Sequence, residues 1–287
     1  MEIKKLVTVI MENKLQDKYA SLVKAIQAMG RVCVAYSGGV DSALLLKVCA
    51  DTLGSEQVLA ITAISASYPE ADKATAAAIA CRLGVPHILL ETEETSDAEF
   101  IRNSPDRCYH CKRHFLMKLL DIARARGFAC VCDGSNADDE LDYRPGKRAS
   151  AEFGVLSPLA DAGLGKDEVR ALSRELGLAG WDRPASPCLA SRIPYGSPIT
   201  HEKLRAVAQA EDFLRTLGFG IVRVRHHGNL ARIEVSKEDI PRLIDESTAA
   251  AIVRHLKGLG FTWVCADLEG YRTGSLNEAL SAEQKRR

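Results

Sequence analysis

The segment whose residue types best suit chemistry is Ser37-Gly38-Gly39-Val40-Asp41-Ser42. It stands between the apolar run 32–35 and a run of helical character, 43–53, which predicts a strand, a tight turn and a helix. Two adjacent glycines let the backbone approach an anion closely, and the helix start directs N–H groups and a positive dipole end at it. The segment has neither a Walker lysine nor G-x-G-x-x-G spacing. We predict a phosphate site here, with an ordinary glycine turn as the alternative, formed by Ser37, Gly38, Gly39, Asp41 and Ser42.

Three cysteines are the second candidate for chemistry. Cys108 and Cys111 have C-x-x-C spacing at a predicted helix start, where the helix dipole and neighbouring basic residues favour thiolates. Alone, the two thiols fit a redox dithiol, half a metal site or chance. If the fold brings Cys188 beside them, three thiolates suffice for an iron–sulfur cluster with one iron left open, whereas structural zinc needs a fourth ligand. We predict inert core thiols at the other six positions: Cys33, Cys49, Cys81, Cys130, Cys132 and Cys265.

Charged residues suggest two further binding sites. Arg223 and Arg225 alternate along a predicted strand, so both guanidinium groups face one side and could form a phosphate fork; a solvated strand face is the alternative. The acidic run 138–142 fits either Mg²⁺ near a triphosphate or a solvated helix start. Asp41 is another candidate Mg²⁺ ligand.

Along residues 1–180, unbroken apolar runs alternate with helical patterns. The predicted strands are 32–35, 57–64, 86–90 and 129–132. The predicted helices are 15–29, 43–53, 70–83, 106–126 and 166–176. This alternation predicts an α/β fold with a doubly wound parallel sheet. Because ligands of such sheets bind beyond the carboxyl ends of the strands, the predicted nucleotide contacts also include Ala63, Ser65, Gly134, Ser135 and Asn136.

A proline-rich segment divides the chain, whose 287 residues suit two domains. We predict a nucleotide domain at 1–180, an active-site loop or linker at 181–200, a smaller α/β domain at 201–272 and a frayed tail at 273–287. In the second domain we expect helices at 201–217 and 237–256. Its expected strands are 221–225, 231–235 and 261–266.

Composition narrows the class of partner. Lys plus Arg and Asp plus Glu both number 38, so no global positive field gathers nucleic acid, and we expect a small-molecule partner. Neither a membrane-spanning run nor a signal-peptide cleavage site is visible. Nine cysteines, an odd number with several in apolar segments, indicate a reducing compartment. We therefore expect a cytoplasmic protein.

Together, the motifs resemble the LarE-type ATP-dependent sulfur transferases of the PP-loop ATP pyrophosphatase superfamily. The glycine loop, residues 37–42, alone identifies only the superfamily. The Cys188 loop, residues 187–196, together with the basic strand motif at 223–227 is specific to the family. The resemblance covers nearly the whole chain. Its motifs are S-G-G-V-D-S at 37–42, R-C-Y-H-C at 107–111, D-G-S-N-A-D-D at 133–139, D-Y-R-P-G at 142–146, P-C-L-A-S-R-I-P-Y-G at 187–196 and R-V-R-H-H at 223–227.

The resemblance implies an enzyme that uses ATP and Mg²⁺ to adenylate a carboxylate of a pyridinium-3,5-dicarboxylate mononucleotide. Sulfur then displaces AMP and leaves a thiocarboxylate of the nickel-pincer cofactor used by lactate racemase and related enzymes. One form of the family gives up the sulfur of a single cysteine; a three-cysteine form carries sulfide on a cluster. We expect the second form here, with a 4Fe-4S cluster on Cys108, Cys111 and Cys188. The expected substrate ligands are Arg192, Arg223 and Arg225.

Two other classes of protein stay open. A tRNA-thiolating PP-loop enzyme also joins such a loop to cysteines, but a basic tract or zinc-ribbon cysteines are not visible. A non-catalytic nucleotide sensor needs only the glycine loop and leaves the cysteine loop unexplained. For the transferase, we further expect a homo-oligomer that contacts downstream nickel-inserting or racemase proteins, and no nucleic acid or membrane partner.

Overall fold

The computed structural model of the chain describes residues 2–141, 144–184 and 186–281. They form two compact units that are not contiguous in sequence. The first unit comprises Met1–Ile64, Glu70–Thr92 and Cys111–Ser186, and the second comprises Ser65–Pro69, Glu93–His110 and Pro187–Arg287. No helix within the described ranges combines the length and apolarity that crossing a bilayer requires.

The first unit contains a four-stranded parallel sheet flanked by helices, as predicted. Its strands are β1 (Val32–Ala35), β2 (Val58–Ile64), β3 (His87–Glu91) and β4 (Cys130–Asp133). Their spatial order is β3-β2-β1-β4, so the chain reverses its direction of travel across the sheet beside β1. Ligands of open parallel sheets bind at such a reversal, beyond the carboxyl ends of the strands. The segments that follow β1 and β4 therefore face the expected ligand site.

Helices cover this sheet because their apolar side chains pack onto the buried strands. The core includes Leu22, Leu44, Val34 and Ala60, all fully buried. The helices are α1 (Glu2–Met29), α2 (Val40–Leu53), α3 (Glu70–Arg82), α6 (Gly146–Glu152), α7 (Pro158–Asp161) and α8 (Lys166–Glu175). A further helix, α5 (Arg107–Ala125), begins in the second unit and continues in the first, the division falling after His110.

The second unit contains a mixed three-stranded sheet. Its strands are β5 (Val222–His227), β6 (Leu230–Val235) and β7 (Trp263–Ala266). The order is β5-β6-β7, with β5 antiparallel to β6 and β6 parallel to β7. Its helices are α4 (Ala98–Ile101), α9 (His201–Thr216), α10 (Ile240–Leu243) and α11 (Glu246–Gly258). The single helix expected at 237–256 is interrupted because Asp245 caps a new helix, accepting a hydrogen bond from the N–H of Thr248.

The units differ from the predicted contiguous domains because distant segments pair through their backbones. The N–H of Leu189 donates to the Ser67 carbonyl at 2.9 Å, and that of Ile199 donates to the Ile101 carbonyl at 3.0 Å. These bonds join 65–69 and 93–110 to the chain after 187. Local sequence patterns carry no signal for such pairing.

Two local expectations are also revised. The predicted frayed tail contains a 3-10 turn, Ser275–Ala279, followed by the buried Leu280; residues 282–287 lie outside the described ranges. The prediction of six core cysteines is wrong for Cys81 and Cys265, which are exposed. Cys265 lies on β7, an edge strand whose alternate side chains point to solvent.

Candidate functional site

The glycine loop joins β1 to α2 in the first unit. Gly38 has φ +73°, in the left-handed region, and a Cβ there would lie 2.8 Å from the Cβ of Ala76. Gly39 caps α2, its carbonyl accepting from the N–H of Ala43 at 2.9 Å. Only glycine fits the first position, and the turn leaves the start of α2 facing the carboxyl end of the sheet.

The two predicted serine ligands help to close the loop. The hydroxyl oxygens of Ser37 and Ser42 are 3.1 Å apart, and Ser42 donates to the Gly39 carbonyl at 3.1 Å. A Cβ at Gly134 would lie 2.6 Å from the backbone nitrogen of Ser42, so the segment after β4 packs directly on the loop. The backbone cradle fits a phosphate chain because both walls are built from glycine and approach closely.

Acidic and amide side chains lie at the same carboxyl end of the sheet as the glycine loop. The Asn136 side-chain amide donates to Asp41 Oδ1 at 3.1 Å. Burial raises the pKa of Asp41, against the opposing effect of that hydrogen bond, and the nearby Asp139 carboxylate raises it further. Asp139 is buried and forms ion pairs with Arg144 at 3.0 Å and Lys166 at 3.5 Å. Carboxylates held this way are oxygen donors of the kind Mg²⁺ prefers.

Asp133, the last residue of β4, organises the second wall. Ser150 and Ser157 each donate a hydroxyl hydrogen bond to it at 2.9 Å, and the N–H of Ser135 donates at 3.1 Å. Lys112 forms an ion pair with it at 2.7 Å. Burial alone would raise the pKa of Asp133, but the Lys112 charge and the hydrogen bonds from Lys112 and Ser135 hold that pKa below its usual value. Asp133 is therefore a fixed anion at the sheet edge.

The remaining two predicted nucleotide ligands, Ala63 and Ser65, lie in different units of the structure. Ala63 lies within β2, next to its last residue. Ser65 belongs to the second unit, where its hydroxyl and that of Ser67 both donate to the buried Glu94 carboxylate. A nucleotide-binding role for either residue stays a prediction.

The Cys188 loop is held by one buried asparagine. The Asn103 side-chain amide donates to the carbonyls of Ile193 at 3.2 Å, Pro194 at 2.8 Å and Ser197 at 2.9 Å. Its carbonyl oxygen accepts from Arg107 at 2.5 Å. Asn103 has φ +55°, a left-handed conformation that asparagine tolerates better than most residues. The loop is therefore stapled to the segment that leads into α5.

Arg107 connects this staple to the thiols. Its guanidinium is buried, donates to the Ala190 carbonyl at 3.1 Å and lies 4.0 Å from the Cys108 sulfur. Cys188 is an exposed residue whose sulfur is nevertheless crowded by protein atoms. This crowding raises the pKa of the Cys188 thiol, while the Arg107 charge and the Ser67 hydroxyl act in the opposite direction. The second unit thus brings Cys108 and Cys188 to one guanidinium.

Cys111 lies one helical turn beyond Cys108 on α5, so the two share a helix face. Across the described ranges, no group of three or more His, Cys, Asp or Glu side chains converges in the way that holding a metal ion requires. The donor types suit an iron–sulfur cluster, but the three thiols are not gathered into one. The cluster assignment stays a prediction.

The predicted substrate arginines are all buried in the second unit. Arg192 is fully buried and forms a two-pronged ion pair with Glu211, at 2.7 and 2.9 Å. Arg225 pairs with Glu234 and donates to the Ser191 carbonyl at 2.9 Å. Arg192 also donates to the carbonyl of Pro187 at 2.7 Å, so its side chain helps to hold the Cys188 loop in place.

Arg223 differs from its two neighbours in its contacts. It lies over the Tyr271 ring at 5.1 Å and donates to the Val222 carbonyl at 2.7 Å. Burial lowers the pKa of Arg223, and the positive charge of Arg192 lowers it further. Arg192 and Arg225 are each paired with a glutamate, so the attraction of the three guanidinium groups for an anion is partly offset at this site.

Sequence reasoning missed several residues that shape these sites. Asn103, Glu94, Glu211 and Glu234 carry no local motif, and each of them contacts a residue between 9 and 94 positions away along the chain. Lys112 was visible only as a basic neighbour of Cys111. An isolated buried carboxylate in an amphipathic segment could have suggested Glu211 and Glu234, whereas nothing local distinguishes Asn103.

The chain is similar in sequence to one protein family and to several individual proteins. A sequence model of the NAD synthase family matches residues 11–118, which include the glycine loop. The chain is 41% identical to the pyridinium-3,5-bisthiocarboxylic acid mononucleotide synthase of Lactiplantibacillus plantarum, over 94% of this chain and 97% of that protein. It is 44% identical to the protein slr1717 of Synechocystis, over 93% and 99% of the two chains. A tRNA-specific 2-thiouridylase of Caulobacter is 31% identical over 59% of this chain and 50% of its own.

Proposed function

The chain belongs to the LarE-type family of PP-loop ATP-dependent sulfur transferases, and on this premise we propose that it converts the carboxylates of a pyridinium-3,5-dicarboxylate mononucleotide into thiocarboxylates. This is the sulfur-inserting reaction in biosynthesis of the nickel-pincer cofactor. The observation that carries the proposal is the presence, in one chain, of a glycine cradle for phosphate and of a stapled loop that holds Cys188 beside Arg107 and Cys108.

In the first half-reaction, a substrate carboxylate oxygen attacks the α-phosphorus of ATP, which forms an acyl-adenylate and releases pyrophosphate. The backbone N–H groups at the start of α2 and the loop Ser37–Ser42 bind the phosphates, because they direct partial positive charge at the same point. Asp41 is our candidate Mg²⁺ ligand. Ser135 and Asn136 complete the wall beyond β4.

In the second half-reaction, sulfur displaces AMP from the acyl-adenylate. We favour delivery through a 4Fe-4S cluster held by Cys108, Cys111 and Cys188, which would carry the transferable sulfide. The chain supplies thiols at all three positions, and the second unit brings two of them to Arg107. The alternative is sacrificial donation, in which Cys188 gives up its own sulfur and becomes dehydroalanine.

Arg223 and Arg225 are our proposed ligands of the substrate phosphate, with Arg192 acting beside them. Two glutamates, Glu211 and Glu234, pair with Arg192 and Arg225. Burial and the neighbouring positive charge of Arg192 lower the pKa of Arg223, and a phosphate dianion beside Arg223 would favour its charged form. In this assignment, the first unit, which carries the glycine loop, serves the nucleotide. The second unit, which carries Cys108, Cys188 and β5, serves the sulfur and the substrate.

We also propose a reducing, cytoplasmic setting, homo-oligomeric assembly and contact with downstream nickel-inserting or racemase proteins. Support for the reducing setting comes from the cysteines, since all nine are free thiols.

The test is an anaerobic assay with ATP, Mg²⁺, sulfide and the dicarboxylate mononucleotide. We expect AMP, pyrophosphate and a thiocarboxylate product whose mass reports the exchange of oxygen for sulfur. A mononucleotide without carboxylates is the control substrate. Turnover with bulk tRNA instead would favour a tRNA-thiolating enzyme, and no pyrophosphate from any carboxylate would favour a nucleotide sensor.

The same assay separates the two sulfur routes. For the cluster route we expect iron in the anaerobic protein, more than one product per chain, and inactivity of Cys108→Ala, Cys111→Ala and Cys188→Ala alike, because loss of one thiolate leaves an iron uncoordinated. Dehydroalanine at position 188 after one turnover, in protein without iron, would establish the sacrificial route. In that case the Cys108 and Cys111 variants should keep activity.

A further inference from the structure

The side chain of Lys112, on α5, reaches the end of the parallel sheet at which the strands finish and the glycine loop begins. Its ammonium nitrogen is 2.7 Å from Oδ2 of Asp133, the last residue of β4. In the sheet register, Asp133 pairs with Ala35, the last residue of β1, and the glycine loop starts two residues later. The residue after Asp133 is Gly134, which packs on the backbone of Ser42. These contacts, all within the first unit, place a positive charge beside the predicted phosphate cradle.

Asp133 does not depend on Lys112 for its hydrogen bonds. Two serine hydroxyls and one backbone N–H already donate to its carboxylate, which is 6% exposed. Asp133 is thus a rigidly held carboxylate that fixes the position of the Lys112 ammonium group. The lysine side chain is 27% exposed, and among the described contacts its ammonium makes one hydrogen bond, to Asp133. An ammonium has three donors, so this geometry leaves capacity for a ligand.

A cation at this position would offset the negative charge of the carboxylates near the glycine loop. The glycine loop has no lysine of its own. Its own carboxylate, Asp41, lies near Asp139, and Asp133 ends the strand that pairs with β1. A polyphosphate entering this edge meets their repulsion unless cations offset it. Arg144 and Lys166 pair with Asp139, whereas Lys112 is the cation held at the end of β4.

We propose that Lys112, oriented by Asp133, binds the phosphate chain of ATP and so supplies the positive charge that a Walker loop takes from its own lysine. The inference rests on the proposed ATP-dependent function. It assigns Lys112 as a binding residue that touches the nucleotide, and Asp133 as the residue that positions it.

The test is equilibrium binding of ATP and of adenosine, in Mg²⁺ buffer, to the full-length wild type and three variants. Lys112→Met removes the charge and keeps the chain length, Lys112→Arg keeps the charge, and Lys47→Met is the matched control. Lys47 also pairs with an aspartate, Asp51, but lies two turns along α2 from the loop.

We expect Lys112→Met to weaken ATP binding on the order of ten- to a hundred-fold, the range for losing a charge-assisted hydrogen bond. Adenosine affinity should change less than about two-fold, because adenosine has no phosphate. Lys112→Arg should restore most of the ATP affinity, and Lys47→Met should match the wild type.

Equal loss of ATP and adenosine affinity in Lys112→Met would mean that the residue supports the fold, and would overturn the inference. Wild-type ATP affinity in that variant would also overturn it, while leaving the proposed function intact. If the wild type itself neither bound ATP nor formed pyrophosphate, the proposed function would fail, and this inference with it.

Discussion

At the residue scale, Asp41 is the glycine-loop side chain with the most specific expected role. Burial raises its pKa, and the hydrogen bond that it accepts from Asn136 acts in the opposite direction. The Asp41→Ala variant should fold, since the loop backbone is closed by Ser42 and Gly38 instead. We expect pyrophosphate formation to fall by two orders of magnitude or more, as for loss of a group that stabilises charge in the transition state.

The measurement is the rate of pyrophosphate release, with Asp51→Ala on the same helix as control. A soluble Asp41→Ala protein that made pyrophosphate at the wild-type rate would show that the loop is structural.

Arg223 permits a second residue-scale prediction. Removing one charge-assisted contact to a substrate phosphate costs about 1.5–3 kcal/mol, so Arg223→Ala should raise the substrate KM by roughly ten-fold or more. The KM for ATP should stay close to that of the wild type. Steady-state kinetics with each substrate varied in turn measures both, with the exposed Arg205→Ala as control. Equal losses for ATP and substrate would instead assign Arg223 to the nucleotide or to the fold.

At the element scale, the loop that carries Cys188 depends on Asn103. The Asn103→Gly variant keeps a residue suited to φ +55° but removes four hydrogen bonds. We expect a loss of about 3 kcal/mol in the free energy of unfolding. We also expect faster alkylation of Cys188, because the loop opens more often.

Denaturant unfolding measures the first effect, and peptide mass spectrometry after iodoacetamide measures the second. Asn277→Ala, which removes one hydrogen bond to Tyr195, is the control. Unchanged alkylation of Cys188 in Asn103→Gly would show that the loop is held mainly by other contacts.

At the scale of the whole molecule, each unit contains a buried carboxylate that folding keeps ionised. Burial would raise the pKa of Glu211, but its hydrogen bond and ion pair with Arg192 lower it, and Lys112 has the same effect on Asp133. A pKa lowered by folding stabilises the protein above the unfolded-state value, about 4.3 for Glu and 3.9 for Asp. This contribution disappears as the pH falls through the folded-state pKa.

We therefore expect the denaturant midpoint to decrease as the pH is lowered from about 5 to about 3. Glu211→Gln and Asp133→Asn should each be destabilised at pH 7 and should show a weaker dependence on pH. Chemical unfolding at several pH values, with the exposed Asp212→Asn as control, measures this. An identical pH dependence in wild type and both variants would contradict it.

The sequence alone was sufficient for the features that local patterns encode. Strand, glycine turn and helix around Gly38 and Gly39 follow from residue type and hydrophobic period, and the parallel α/β sheet follows from repetition of that pattern. The Cys108 and Cys111 spacing likewise sets both thiols on one face of α5. The family was recognisable because its motifs are short and continuous.

Only the tertiary structure decided which distant residues share a site. The burial of Arg192 against Glu211, the staple formed by Asn103 and the approach of Lys112 to Asp133 join residues 19 to 94 positions apart. The same holds for the second unit, which is assembled from three separate stretches of chain. Hydrophobic periodicity reports which face of an element is buried, but it carries no information about the partner across the interface, and the chemistry of a buried charge depends on that partner.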